Sequence, residues 1–115
     1  MLGFIERHGS SRFADWDNQG ERVANCAGFR RRDGQNRMDY LFPTEGFQDA
    51  CEGFTPEDVA KACVEAGLLD PLTESGVLRF QKNVKVPGRG TEHFYIVTGR
   101  GLEAFRQRQA EQAGG

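Results

Sequence analysis

A chain of 115 residues with nine Phe and 37% hydrophobic content has room for one modest core and too much apolar character to stay disordered. Fifteen basic against 17 acidic residues leave a net charge of −2, so any attraction to phosphate must be local. No run approaches the roughly 18 consecutive apolar residues of a membrane helix, and "MLGFIERHGSS" lacks the basic and apolar regions of a signal peptide.

Residues 1–22 are polar and mixed, anchored by Phe4, Ile5, Phe13 and Trp16. They read as the last turn of a helix ending near Gly9, followed by an extended lead-in. The abrupt start "MLGFIE" suggests a chain cut from something longer. "CAGFRRR" (26–32) predicts a strand, "DGQNR" a turn, and "MDYLF" (38–42) a second strand in which Met38, Tyr40 and Phe42 alternate with Asp39 and Leu41.

Pro43 stops that strand, and Thr44 is placed to N-cap a short helix over about 45–52, with Phe47, Ala50, Cys51 and Phe54 as its apolar stripe. "FTPED" then begins a second helix over 56–67, with Thr55 as N-cap, Pro56 at the first helical position and Asp58 near the positive end of the dipole. Val59, Ala60, Cys63 and Val64 form its buried stripe, and Gly67 ends it. "VLRFQKNVKV" (77–86) predicts one long strand with Leu78, Phe80, Val84 and Val86 on one face. Lys82 falls on that face too, which requires either a bulge or an exposed strand end. "PGRGTE" turns the chain and "HFYIVT" (93–98) returns it. A final helix over about 100–110 turns Leu102 and Phe105 inward, and residues 111–115 form a flexible tail.

The result is one α+β domain over 1–115. Two short helices followed by a two-stranded hairpin is the order of a winged helix-turn-helix, and "GFTP" suits the turn between the helices. The expected fold is therefore winged-helix-like, with an extra N-terminal β-hairpin and a C-terminal helix. On that reading Val59, Cys63 and Val64 pack against Phe47 and the apolar face of the 77–98 hairpin. An unrelated α+β domain with the same element order is the alternative.

Catalytic signatures are lacking. None of the three lysines follows a glycine as a phosphate-cradling loop requires, and the glycines of "PGRG" and "TGRG" read as structural. "DWDNQG" begins like a calcium loop, with Asp15, Asp17 and Gly20 at suitable offsets, but its twelfth position is Cys26 where a bidentate Glu is needed. His8 and His93 have no ligand-spaced partners, so no metal or other cofactor is expected, and nothing argues for an enzyme or a small-molecule substrate. Cys26, Cys51 and Cys63 are odd in number without a C-x-x-C pair, which argues for a reducing cytoplasm. Cys51 and Cys63, set among Ala and Val at helical spacing, read as buried inert thiols.

Charge is unevenly divided. Residues 44–76 carry −7, residues 77–99 carry +3 and residues 28–42 carry +2. The usual recognition helix would show Glu57, Asp58, Lys61 and Glu65 to solvent, a face that repels phosphate. Nucleic acid would have to be met instead by Arg30, Arg31 and Arg32 together with Arg79, Lys82, Lys85 and Arg89. These cations are equally well explained as guards of exposed strand edges.

Four stretches carry a family likeness: "GFIERHGSSRF" (3–13), "AGFRRR" (27–32), "YLFPTEGFQDACEGFTPEDVAKACVEAGLL" (40–69) and "FQKNVKVPG…FYIV" (80–97). Over roughly residues 3–98 the chain resembles the C-terminal part of the bacterial "superfamily II helicases and inactivated derivatives", a primase/helicase-like family many of whose members are encoded by prophages, plasmids and integrative elements. The resemblance implies an ATP-binding motor upstream and a DNA-replication setting. It transfers no catalytic residue, because none of the family's ATPase motifs occurs here. The expectation is a non-enzymatic accessory domain that contacts DNA phosphates through its basic hairpin. The alternative is a protein-interaction or oligomerisation module using the acidic helices 45–52 and 56–67.

Overall fold

The strands Phe13–Asp15 (β1), Gly28–Arg32 (β2), Met38–Phe42 (β3), Lys82–Val86 (β6) and Gly90–Val97 (β7) form one mixed sheet in the order β1-β2-β3-β7-β6. The helices are Leu2–His8 (α1), Thr44–Ala50 (α2), Pro56–Glu65 (α3) and Gly99–Gly114 (α4), and Leu72–Glu74 (β4) pairs with Val77–Arg79 (β5) as a separate ribbon. The computed structural model describes residues 1–19 and 22–114. Among them no helix is long and apolar enough to cross a membrane.

Period-two alternation assigns the two faces of the sheet. Phe13, Phe42 and Val97 point to the helices and join Phe4, Ile5, Phe47, Ala50, Cys51, Ala60, Cys63, Leu68, Leu69 and Leu102 in the main core. Phe42 is fully buried, with the rings of Phe4, Phe13 and Phe47 at 6.3, 5.2 and 5.8 Å. Their neighbours in sequence, Ala14 and Leu41, point the other way and build a second, smaller core with Phe29, Val86 and Phe94. The expected β2–β3 hairpin is present, but its loop is closed through a side chain. The Asp33 carboxylate accepts the N–H groups of Gln35 and Arg37 at 2.7 and 2.9 Å. The Arg37 amide is also the chief reason its pKa lies below the usual value.

Helix α3 follows its sequence grammar. Thr55 occupies the N-cap position and Pro56 the first helical position. At the other end Gly67 takes φ 77°, its N–H reaches Val64 O at 3.0 Å, and Leu68 N–H reaches Cys63 O at 2.8 Å. That pair of bonds satisfies the last carbonyls and requires a left-handed residue, hence Gly. Val59 and Val64 are half-buried against the main core, whereas Ala60 and Cys63 are fully enclosed.

Several expectations need correction. The strand expected over 77–86 is two strands: β5 turns back on β4, Phe80 and Gln81 break the run, and β6 pairs with β7. Leu78 consequently lies in the ribbon, 51% exposed, instead of joining the core face. Phe54, expected on the stripe of α2, falls after Glu52 and Gly53 adopt positive φ and is 74% exposed. Pro43 is the N-cap of α2, which leaves the Thr44 hydroxyl to accept from Gln81 Nε2 at 2.8 Å. The lead-in contains a short strand, β1, which pairs parallel to β2 across a connection long enough for a parallel crossover. Helix α4 runs to Gly114 where a tail was expected from 111, and Gly115 lies outside the described residues.

Candidate nucleic-acid interface

Cross-strand partners share a face, so the register places each expected cation. Arg30 stands opposite Tyr40 and Arg32 opposite Met38, on the helix-bearing face. Arg31 stands opposite Asp39 and Lys82 opposite Phe94, on the other face. Lys85 returns to the helix-bearing side, Arg79 lies in the separate ribbon, and Arg89 lies in the β6–β7 turn. The seven candidates therefore do not form one surface.

Their neighbours divide them further. Arg79 is 3.1 Å from Glu74 and Arg89 is 3.2 Å from Glu92. Arg30 lies opposite Asp15, and with Arg32 it borders a depression that Asp15 and Asp17 also line. Arg32 donates to Asn36 O at 3.3 Å. For Lys82 and Lys85 no carboxylate lies within ion-pair distance among the described residues. An additional cation, Arg106 of α4, joins Arg30 and Arg32 around a cleft of about 490 Å³ beside Tyr40 and Glu6. Sequence reasoning missed Arg106, because nothing in "FRQRQ" ties it to β2.

Two of the expected basic segments do converge. By register, Phe29 of β2 lies level with Leu41 and Ile96, six residues along β7 from Gly90. Six strand residues span roughly 20 Å. Yet the Arg89 guanidinium, next to Gly90, lies 5.6 Å from the Phe29 ring centre. The β6–β7 hairpin therefore curls over the helix-free face, and Val86 and Phe94 bury against Phe29 and Leu41 as it does so. On the same aromatic cluster Arg31 sits 5.2 Å over Trp16, and Trp16 meets Phe29 edge-on at 5.4 Å. The order is Arg31, Trp16, Phe29, Arg89. Each cation–aromatic contact contributes about 0.5–1 kcal/mol at such partly exposed sites, enough to orient a guanidinium without consuming its charge.

The acidic helices are less uniform than their sequence. Arg7 pairs with Glu52, and Arg12 lies 3.5 Å from Asp49, so α2 and the turn after it are partly neutralised. On α3, Glu57 lies 3.4 Å from Lys61, while Asp58 and Glu65 are exposed. Phe54 stands in solvent between these two helices.

The thiols and imidazoles are dispersed. Burial raises the Cys51 thiol and pushes Cys63 up to about 11, which disfavours thiolate at both. Cys26 is exposed and its thiol donates to Gly28 O at 3.2 Å. The His8 ring packs on Phe4 at 4.9 Å, and His93 is an exposed residue of β7. Among the described residues no three His, Cys, Asp or Glu side chains converge as a metal site would need. Gly20, which a calcium loop would require, lies outside the described residues. No family model, curated protein or solved structure matches this chain.

Proposed function

We propose that this domain is a non-enzymatic accessory module that contacts nucleic-acid phosphates without reading sequence, in service of a replication motor elsewhere in its parent protein. The observation that carries the reading is the convergence of Arg31 and Arg89, 58 positions apart in sequence, on the Trp16–Phe29 pair. Two guanidinium groups held on aromatic rings, beside unpaired Lys82 on the same side of β6, suit a phosphate backbone, which would compete with Glu92 for Arg89. Two helices and a hairpin fit a winged-helix-like module into which the β4–β5 ribbon is inserted, but here the acidic α3 faces away and the curled hairpin makes the contact. The setting rests on the resemblance to the helicase-related family.

The test is a titration against single-stranded, forked and duplex DNA at low and moderate salt. Each phosphate neutralised steepens the slope of log affinity against log salt by roughly 0.9 for duplex and 0.7 for single strands. Changing Lys82 and Arg89 together to Ala should flatten the duplex slope by up to about 1.8, and Arg31→Ala by up to about a further 0.9, whereas Lys85→Ala, on the other face, should leave it unchanged. Glu57→Ala and Glu65→Ala should leave affinity unchanged or slightly raised. No binding at low salt, or an unchanged slope in the hairpin variant, refutes the reading.

One observation favours the second reading, a protein-interaction surface on α2 and α3. Phe54, 74% exposed between Asp49 and Asp58, offers an apolar ring amid carboxylates, which suits a protein partner and not a phosphate backbone. Loss of partner binding in Glu57→Ala, Glu65→Ala or Phe54→Ser, with DNA affinity absent, would establish it.

A further inference from the structure

The β4–β5 ribbon is unusual in this fold. Every residue from Pro71 to Arg79 is exposed, including Leu72 at 37%, Val77 at 53% and Leu78 at 51%. A two-stranded ribbon is marginal in water by itself, and this one leaves its apolar side chains in solvent. It stands beside the main sheet, and between the two lies a cleft of about 470 Å³. Leu72 and Leu78 line it from the ribbon, and Phe80, Tyr95, Asn83 and His93 from the sheet side.

The cleft adjoins an open edge. β6 is the outermost strand of the five-stranded sheet and pairs only with β7, so half of its N–H and C=O groups point away from the sheet. It contains no proline, and its five residues pair one-to-one with β7 without a bulge. Lys82 and Lys85 lack carboxylate partners among the described residues, whereas Arg79 at the cleft is paired with Glu74, which lines it too, so the free positive charge is that of the two lysines of β6.

We propose that the β6 edge and the adjoining cleft bind an extended, acidic segment of a partner protein. The partner's backbone adds a strand outside β6, one apolar side chain enters between Leu78 and Tyr95, and flanking carboxylates meet Lys82 and Lys85. This is strand addition, in which main-chain bonds give affinity and a pocket for alternate side chains gives selectivity. Alternation supports the geometry, because Asn83 and Lys85 face the cleft side of the sheet. Charge counts against the simplest competitor, because two copies pairing edge to edge would gather four unpaired lysines on adjacent strands. The cleft lies on the opposite face of the sheet from the Arg31–Arg89 patch, and the two surfaces share only Lys82 at the strand edge.

The experiment titrates the protein with three labelled peptides of the length of β6: glutamates around one central leucine, the same peptide with lysines for glutamates, and the acidic peptide N-methylated on alternate amides. Binding is read by fluorescence anisotropy, and its location by backbone amide shifts. The acidic peptide should bind and shift residues 82–86, while the lysine and N-methylated peptides bind at least roughly tenfold more weakly. Leu78→Ser, at an exposed position that should not disturb folding, should weaken the acidic peptide several-fold and leave oligonucleotide affinity unchanged. Equal affinity for the lysine peptide, indifference to N-methylation, or shifts confined to α2 and α3 would overturn the proposal. So would concentration-dependent β6 shifts of the protein alone, which would give the edge to a second copy. Loss of peptide and oligonucleotide binding together in Leu78→Ser would assign the cleft to nucleic acid instead.

Discussion

The attachment of α4 offers a sharp test, because it depends on one buried carboxylate. Asp39 of β3 is 9% exposed, and its Oδ1 accepts the Gly99 N–H at 2.7 Å across 60 positions of sequence. The next turn is closed by the Thr98 hydroxyl, which accepts from Gly101 N–H at 3.0 Å. Asp39→Ala removes a charge-assisted bond of about 1.5–3 kcal/mol and a favourable dipole contribution of about 0.3–1 kcal/mol. It also leaves an amide without its acceptor in a closed site. At about 2.1 cal/mol/K of unfolding entropy per residue, 1 kcal/mol is worth about 4 °C in a domain this size, so a loss of about 2–4 kcal/mol lowers Tm by about 8–16 °C. Asp39→Asn keeps an acceptor and should lose only about 1–4 °C, the dipole share. Far-UV circular dichroism gives both melts, and hydrogen exchange at Gly99 and Gly101 should quicken in Asp39→Ala alone. If Asp39→Ala melts within about 2 °C of the parent, or Asp39→Asn matches it, the carboxylate does not hold the helix.

Two further outcomes follow from burial. The Cys63 thiol, ordinarily near 9.0, is held up to about 11 by desolvation, so the unfolded chain releases this proton first. Its stabilising contribution is intact below pH ~9 and is lost as pH rises towards ~11, about 2–3 kcal/mol in all. Denaturant melts across that range should show the fall, and Cys63→Ala should flatten it, although Cys51 and Tyr95, raised by the same cause, keep a remainder. At Gly101 an added Cβ would lie 2.2 Å from Gly67 O and 3.1 Å from Leu68 Cα, both backbone atoms of the turn ending α3. Gly101→Ala must therefore push α4 from that turn and should cost at least about 1–3 kcal/mol in a denaturant melt, while an unchanged midpoint would refute the close approach.

The legible parts of the fold were those encoded within a few residues. "FTPED" and "EAGLL" mark both ends of α3, through Pro56 at the first helical position and the Gly67 turn, because such signals act over one turn, although the Thr55 side chain makes no cap bond. The spacing of Cys51 and Cys63 among small apolar residues foretold their burial. What escaped depends on partners distant in sequence. Leu78 alternates properly with Phe80 and Val84, yet β5 pairs with β4, and alternation carries no information about which strand lies alongside. β1 is three residues long and gains its identity only from β2. Asp39 occupies a position that reads as solvent-facing, and becomes a helix-capping group only when Gly99 arrives from the far end of the chain.

The same distinction governs the candidate site. Counting charge by segment makes residues 28–42 a basic block, but a strand sends Arg30 and Arg32 to one face and Arg31 to the other. Arg30 and Arg32 share their side with Asp15 and Asp17, so much of their field is offset locally. Arg31 escapes that company and gains Arg89, because the hairpin bends over Phe29. The bend has a local cause. Val86 and Phe94 are fully buried, and a flat hairpin would leave them in water on the helix-free face. Burying two such side chains is worth about 1.5–3 kcal/mol each, more than the cost of bringing one guanidinium near another across partly exposed rings. Apolar burial thus sets where the cations meet, and the resulting charge patch follows from the second core.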